Sequence, residues 1–328
     1  MRSELTLEHM ASLENLSLAA RRARRGKSRR PDVETWHLRE ESHLLGLRDS
    51  LLAGTWRPGG YRMFTIREPK RREIAAAAYA DRVVHHALCN LLNPLLQRRF
   101  IARSFSCQEG KGTTAARACC RQLVNRHRFV LKCDVRKFYD SISHAVIRDK
   151  LFTLVRCPGL RGAITSICES YHHTPGRGLP IGNLTSQWWG NLLLDGMDHW
   201  ITEERGHGSY LRYTDDFLFF GEDKATLWGL REDTVKHLAA LGLRLAEPKS
   251  RLLSCREGVP FCGFLFRPGL APRVLGATKR RFLERRRRLL AAGDMARLSV
   301  STFAWYQFSR EANSEGLRQS WSHPWQGQ

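Results

Sequence analysis

The run Arg212-Tyr213-Thr214-Asp215-Asp216-Phe217-Leu218-Phe219-Phe220 sets two adjacent acids between two strongly apolar arms. Aromatic and aliphatic arms of this length predict strands, so Tyr210–Phe220 reads as a β-hairpin with Asp215 and Asp216 where the arms meet. Acids inside such a sequence cost several kcal/mol each on burial unless something compensates them. The plain alternative is a surface hairpin whose Asp-Asp pair merely favours a turn. A second β-prone segment, Phe129–Val135, carries Asp134 at its end, and the two-residue strand period puts that acid on one face with Val130 and Lys132. Carboxylates from separate segments, at a strand end and a tight turn, suit two divalent ions about 3.5–4 Å apart. Each Mg²⁺ takes only one or two carboxylates beside phosphates and water.

Composition narrows the partners. Fifty-four Lys and Arg against 32 Asp and Glu give +22 over 328 residues. A chain this basic repels itself unless a polyanion is close; nucleic acid is the first reading and an anionic membrane surface the second. The sequence holds no apolar span of about 20 residues and no basic-then-apolar leader, so the expectation is a soluble, cytoplasmic protein with no membrane partner. The nine cysteines include no C-x-x-C pair, which argues against structural zinc and for reduced, mostly buried thiols.

Along the chain, helical spacing covers Glu4 to Ala23 and runs into a basic stretch that includes Arg21, Arg22, Arg24 and Arg25. These arginines are either a solvated tail or an RNA-backbone contact. A second helix is expected over Glu34–Leu52, then a strand at Tyr61–Ile66 after a Gly/Pro break, and a helix from Tyr79 to Leu96. Ile147–Val155, Ile164–Tyr171 and Lys224–Leu241 also read as helices, and Ser186–Glu203 places Trp189, Leu192, Leu193, Met197 and Trp200 on one helical face. Short strands are expected at Leu243–Ala246 and Phe261–Phe266, followed by a basic helical unit with Phe282, Leu283, Leu289 and Leu290 inward. The mixture favours α+β.

Tyr213-Thr214-Asp215-Asp216 resembles the Y-x-D-D signature of reverse transcriptases, and its companions stand in the family's order. Asp134-Val135-Arg136-Lys137-Phe138-Tyr139 resembles the first catalytic strand; Leu179–Gln187 resembles the loop and helix start beneath the incoming nucleotide. Leu241–Leu245 with Lys249, and Phe261–Phe264, resemble the following motif and the primer-side turn. Glu68–Ile74 and Asp81–Leu88 resemble the fingers of bacterial enzymes related to group II introns. Where those relatives carry Ser-Pro or Thr-Pro, this chain has Ser186-Gln187, and Ile181-Gly182-Asn183-Leu184-Thr185-Ser186-Gln187 resembles the hallmark of diversity-generating retroelement enzymes.

The resemblance implies a right-hand polymerase with α-helical fingers, an antiparallel-sheet palm and a short helical thumb. The expected divisions are a helical N-terminal extension (1–60), fingers (61–128), palm (129–267, with a fingers insertion at about 151–185) and a basic helical thumb (268–328), with no room for an added endonuclease or RNase H domain. It implies a bacterial, archaeal or phage-encoded enzyme making cDNA by two-metal nucleotidyl transfer, error-prone at template adenines. Its partners would be a structured template RNA, the RNA/DNA hybrid, dNTPs and a small oligomeric accessory protein.

Roles follow residue by residue. Asp134 and Asp215, with the Val135 carbonyl and with Asp216 assisting or orienting the primer end, would hold two Mg²⁺ ions, for which Mn²⁺ could substitute. Lys70 and Arg72 would clamp the triphosphate. Tyr139 would lie under the sugar and exclude a 2′-hydroxyl, with core packing as its alternative. Ile181 stands where more faithful relatives carry glutamine, Gly182 would let backbone approach the nascent pair, and Gln187 would order the adjoining loop. Lys249 is a candidate general acid for departing pyrophosphate, or else a salt-bridge partner. Arg285 and Arg286 would face the duplex. His85-His86 and His172-His173 read as structural or RNA-facing. Three other readings stay open: a group II intron-like polymerase, a defence-associated reverse transcriptase, and a maturase-type RNA-binding protein without catalysis.

Overall fold

A computed structural model describes residues 5–66 and 71–322. The chain opens with four helices, α1 (Leu7–Ala11), α2 (Leu13–Arg24), α3 (Pro31–His37) and α4 (Glu40–Leu52). The single helix expected over Glu4–Ala23 is two, because the Ser12 hydroxyl accepts from the Asn15 amide at 3.2 Å and caps a fresh helix start. The pattern over Glu34–Leu52 is likewise split at Leu38–Arg39, and its first half begins earlier, at Pro31, which suits a first helical turn.

Two strands follow, β1 (Tyr61–Ile66) and β2 (Arg72–Ala77), paired antiparallel from Tyr61↔Ala77 to Ile66↔Arg72. Next come α5 (Tyr79–Arg99), α6 (Thr113–Arg126), β3 (Phe129–Asp134), α7 (Phe138–Ser141), α8 (His144–Phe152), α9 (Pro158–Glu169) and α10 (Leu184–His199). The predicted hairpin is present as β4 (Tyr210–Tyr213) and β5 (Asp216–Gly221), followed by α11 (Lys224–Ala240) and β6 (Arg251–Ser254). A second small sheet, β7 (Val259–Phe261), β8 (Phe264–Phe266) and β9 (Arg273–Val274), precedes helices α12 (Gly276–Ala291), α13 (Met295–Ser309) and α14 (Glu315–Ser322).

The central sheet has the order β4-β5-β3-β6, with every neighbouring pair antiparallel. Strand alternation sends Leu131, Cys133, Phe217 and Phe219 into one core, shared with α5, α8 and α10, and Val130, Leu218 and Phe220 into another under α6 and the second sheet. Both faces are covered, which is why β5 reads as an unbroken apolar run after its acid. α10 lies at the centre and is buried around its circumference, Asn191, Asp195 and Asp198 included, so the single apolar face expected from its spacing understates it.

The N-terminal helices share the larger core. Tyr79 donates its hydroxyl to the Ala20 carbonyl at 3.0 Å, and Asn15 donates its amide to the Ala87 carbonyl at 3.1 Å, tying α2 along α5. At the other end, Phe282 of α12 stacks on Trp305 of α13 at 4.4 Å between ring centroids. Arg117 of α6 reaches over Phe264 and Phe308 and pairs with Glu311 at 3.0 Å, fastening that helical unit to the body.

Three further differences have local causes. Leu243–Ala246 contributes one bridge, Val135↔Leu245, instead of a strand. Phe261–Phe266 is a hairpin, folded at Cys262-Gly263, where both residues adopt positive φ (42° and 87°). A Cβ on Gly263 would stand 2.8 Å from the Phe308 ring, so only glycine lets that ring close on the turn. Leu290, expected inward, is 43% exposed on the outer side of α12.

Candidate active site

The acidic turn is built on a buried cation. Arg212 of β4 is fully buried and pairs with the equally buried Asp198 of α10 at 2.5 Å. Its guanidinium also donates to Asn191 Oδ1 and to the Thr214 carbonyl, both at 2.9 Å, while Tyr210 donates its hydroxyl to Asp198 at 2.7 Å. Thr214 sits at φ 59°, a conformation that non-glycine residues adopt at a cost. The Arg212 bond to its carbonyl and its own hydroxyl bond to Ser106 (2.8 Å) hold it there. Directly after Thr214 the chain presents Asp215 and then Asp216.

Asp134 stands directly across from Asp216 in the β3–β5 register, and the Val135 amide donates to the Asp215 carbonyl at 3.2 Å. Three acids from two segments therefore meet at one end of the central sheet. Their mutual repulsion is felt at Asp215, whose carboxyl is pushed up from 3.8 to about 6 by burial first, then by Asp134, with a smaller part from Asp216. Burial also raises Asp216, opposed by Lys132.

Two lysines answer this charge. Lys132 donates to Asp216 at 2.6 Å and to the Pro260 carbonyl at 3.3 Å, with its ammonium 5.6 Å from the Phe261 ring centre. Lys249, following α11, donates to Asp134. The salt-bridge reading of Lys249 is thus the contact present. Among the described residues no group of three or more His, Cys, Asp or Glu side chains stands in metal-holding geometry; Asp134 and Asp216 each accept from an ammonium group. The donor set nonetheless suits divalent cations: it is all carboxylate oxygen, and buried Asp216 Oδ1 has no hydrogen-bond partner among the described residues.

Tyr139 packs beside the acids on α7, its phenol pushed up by burial and next by Cys107 and Asp215. A Cβ on Gly190 of α10 would meet Phe138 at 2.9 Å and Tyr139 at 3.5 Å, so this glycine sets how closely the ring pair approaches α10. Gln187 accepts from the Cys107 thiol at 3.0 Å, and Cys107 is itself at φ 56°. Its neighbour Ser106 is bonded to Thr214, so one short corner touches both the acidic turn and the start of α10. Ile181 is half-buried; Gly182, at φ 116°, faces Ile74 of β2, which a Cβ would meet at 3.3 Å. Arg72 begins β2, exposed and near enough to lower Tyr139's proton affinity slightly. Lys70 lies outside the described residues.

Arg21, Arg22, Arg24 and Arg25 are exposed at the end of α2, Arg22 bonding Asn90; Arg285 and Arg286 are half-buried on α12. His85 is buried, neither ring nitrogen is bonded among the described residues, and burial pushes it down to about 3, as a structural histidine would be. His172 packs on His144 at 4.9 Å. Sequence reading missed the Ser106-Cys107 corner, Lys132's ion pair and the Arg212–Asp198–Asn191 network. An arginine inside an apolar strand was the one visible signal.

The family model described as reverse transcriptase (RNA-dependent DNA polymerase) matches residues 66–278. A solved structure of telomerase from Candida albicans, in complex with a fragment of telomeric RNA, is similar at 14% identity and a TM-score of 0.48. The alignment covers 68% of this chain and 46% of that one, so the chain spans less than half the length of that relative. No curated protein matches the chain.

Proposed function

The chain belongs to the reverse transcriptase (RNA-dependent DNA polymerase) family, whose model spans well over half of it, and from that premise we propose that it copies RNA into DNA. The observation that carries the reading is the register: Asp134 faces Asp216, with Asp215 alongside, at the end of a sheet covered on both faces. Asp134, Asp215 and Asp216 would hold two Mg²⁺ ions. When bound, such ions activate an attacking 3′-hydroxyl and stabilise a departing phosphate oxygen. The chain's own residues do the rest. Arg212 and Ser106 hold the turn that carries two of the acids, and Lys132 and Lys249 balance the carboxylate charge.

Tyr139, wedged against Phe138 and held near Asp215, would be the sugar gate: a ring at this place leaves no room for a 2′-hydroxyl. Arg72, with Lys70, would meet the triphosphate. The central sheet would act as palm and α12–α14 as thumb. The run Ile181–Gln187 supports the finer reading, a diversity-generating retroelement enzyme: Ile181 offers no hydrogen bond with which to police base geometry. In that reading an accessory protein and a structured RNA are further partners.

The test is primer extension on a defined RNA template, with sequencing of the product. Incorporation of dNTPs that disappears in Asp134→Ala and Asp215→Ala, with RNA binding retained, is the expected result. Undiminished synthesis by those variants would overturn the site. Substitutions clustered opposite template adenines would support the finer reading, and an even spread would remove it.

A further inference from the structure

Among the described residues, the non-glycine positions with positive φ are Cys107, Lys137, Thr214 and Cys262. Backbone of this kind costs energy and gathers where a site requires it. Lys137 follows the strand that ends in Asp134, Thr214 precedes Asp215, and Cys262 folds the hairpin whose Pro260 carbonyl meets Lys132. Cys107, at φ 56°, lies in the connection between α5 and α6, distant in sequence from every acid of the site. None of the roles above explains it.

The connection is anchored from behind. The Phe105 amide donates to the Arg212 carbonyl and the Arg212 amide to the Arg103 carbonyl, both at 3.0 Å, so the segment lies along β4. The Ser106 carbonyl accepts from the Asn191 amide of α10 at 2.7 Å. In front, donors run in one direction away from the acidic turn. Thr214 donates to the Ser106 hydroxyl at 2.8 Å, Ser106 to the Cys107 sulfur at 3.4 Å, and the Cys107 thiol to Gln187 Oε1 at 3.0 Å. Each bond polarises the next, so such a chain is stronger than its members taken singly.

Tying the Gln187 carbonyl oxygen leaves the NH2 as the other end of the amide, with no hydrogen-bond partner among the described residues. Gln187 stands one helical turn before Gly190, where an added Cβ would lie 3.5 Å from the Tyr139 ring. The Cys107 thiol is itself close to two tyrosines. Burial first and then Cys107 raises the Tyr139 phenol; burial, Cys262 and then Cys107 raise that of Tyr213.

We propose that Cys107 is a positioning residue for the incoming nucleotide: its thiol fixes the Gln187 amide, which presents its NH2 as a donor beside Tyr139, in register with the acids on the Thr214 turn. The bent backbone aims the thiol. A corner that only packed would need neither the left-handed φ nor a run of donors ending on α10. This role rests on the polymerase reading.

The test is steady-state primer extension on a defined RNA template, at saturating primer–template, with a melting curve for each protein. The full chain is compared with Cys107→Gly, Cys107→Ser, Gln187→Met and the double variant Cys107→Gly with Gln187→Met. Glycine suits φ 56°, so Cys107→Gly should melt no lower than the parent. Loss of one hydrogen bond to the nucleotide should raise the dNTP KM about five- to tenfold in Cys107→Gly and in Gln187→Met. The kcat should stay within about twofold, as for an interaction made equally before and during the reaction. Serine keeps a donor at the position, so Cys107→Ser should recover most of the parent's KM. The double variant should be no worse than either single one, since both cut the same path. Multiplied losses, an unmoved KM in Cys107→Gly, a serine variant as poor as glycine, or a kcat that falls with the melting temperature would each overturn the proposal and reduce the corner to scaffold. A parent that extends no primer sinks the polymerase reading and this role together; an active parent with multiplied losses sinks this role alone.

Discussion

Asp215→Asn should make the metal-free protein more stable while abolishing synthesis. Asp215 is pushed up from 3.8 to about 6, chiefly by burial and by Asp134. A folded-state value above the unfolded one means that the fold prefers the protonated acid. The stabilisation is complete below about pH 4 and is lost as pH rises through about 6. Two pH units at about 1.4 kcal/mol each put the cost of ionised Asp215 at about 3 kcal/mol above that window. Asparagine carries no charge and the Val135 amide bonds only the backbone carbonyl of residue 215, so the variant sheds the cost and keeps the turn. Urea unfolding in EDTA should show the variant ahead by about 2–3 kcal/mol near pH 8 and level with the parent near pH 4. Added Mg²⁺ should stabilise the parent more than the variant. A variant that is less stable near pH 8, or whose advantage does not vary with pH, refutes the account of three acids crowded at one sheet end.

Two other substitutions probe the scaffold. Arg212→Met removes one partner of a fully buried pair and leaves Asp198 uncompensated; a loss of about 3–5 kcal/mol is expected, read by urea unfolding, and a loss below about 1 kcal/mol would deny the network its role. Tyr139→Ala should admit ribonucleotides in primer extension with little change in deoxynucleotide turnover, and an unaltered sugar preference would return Tyr139 to core packing.

The acids were legible because Asp134 closes an alternating strand and Asp215 and Asp216 break a continuous apolar run where two strands meet. The apolar spacing of the β4–β5 hairpin, α5 and α11 matches their buried residues, whereas β1 was readable from its strand-forming residues after a Gly/Pro break, although none of its six residues is buried. β2 escaped because Arg-Glu-Ile-Ala-Ala-Ala has weak strand propensity and gains its pairing only from β1. α6, rich in Arg, Ala and Cys, shows no obvious stripe, although Ala116, Cys120, Leu123 and Val124 are its buried face. What fastens the site was hidden for a different reason. Asp198 and Arg212, or Ser106 and Thr214, are joined only by folding, and neither partner of a long-range polar bond betrays the other in one sequence. Lys132 was noticed as Asp134's strand neighbour, yet its bond runs to Asp216 on the facing strand.

The pairing of Asp134 with Asp216 binds chemistry to greasy packing. A slip of β3 by a single position would swing Leu131 and Cys133 out of their core and carry the first acid to the wrong side of the sheet in the same stroke. Lengthening or shortening either strand is therefore punished twice. Descendants of this chain can drift far in their outer helices and still inherit the meeting of the acids, so long as the hydrophobic beat of two strands is kept.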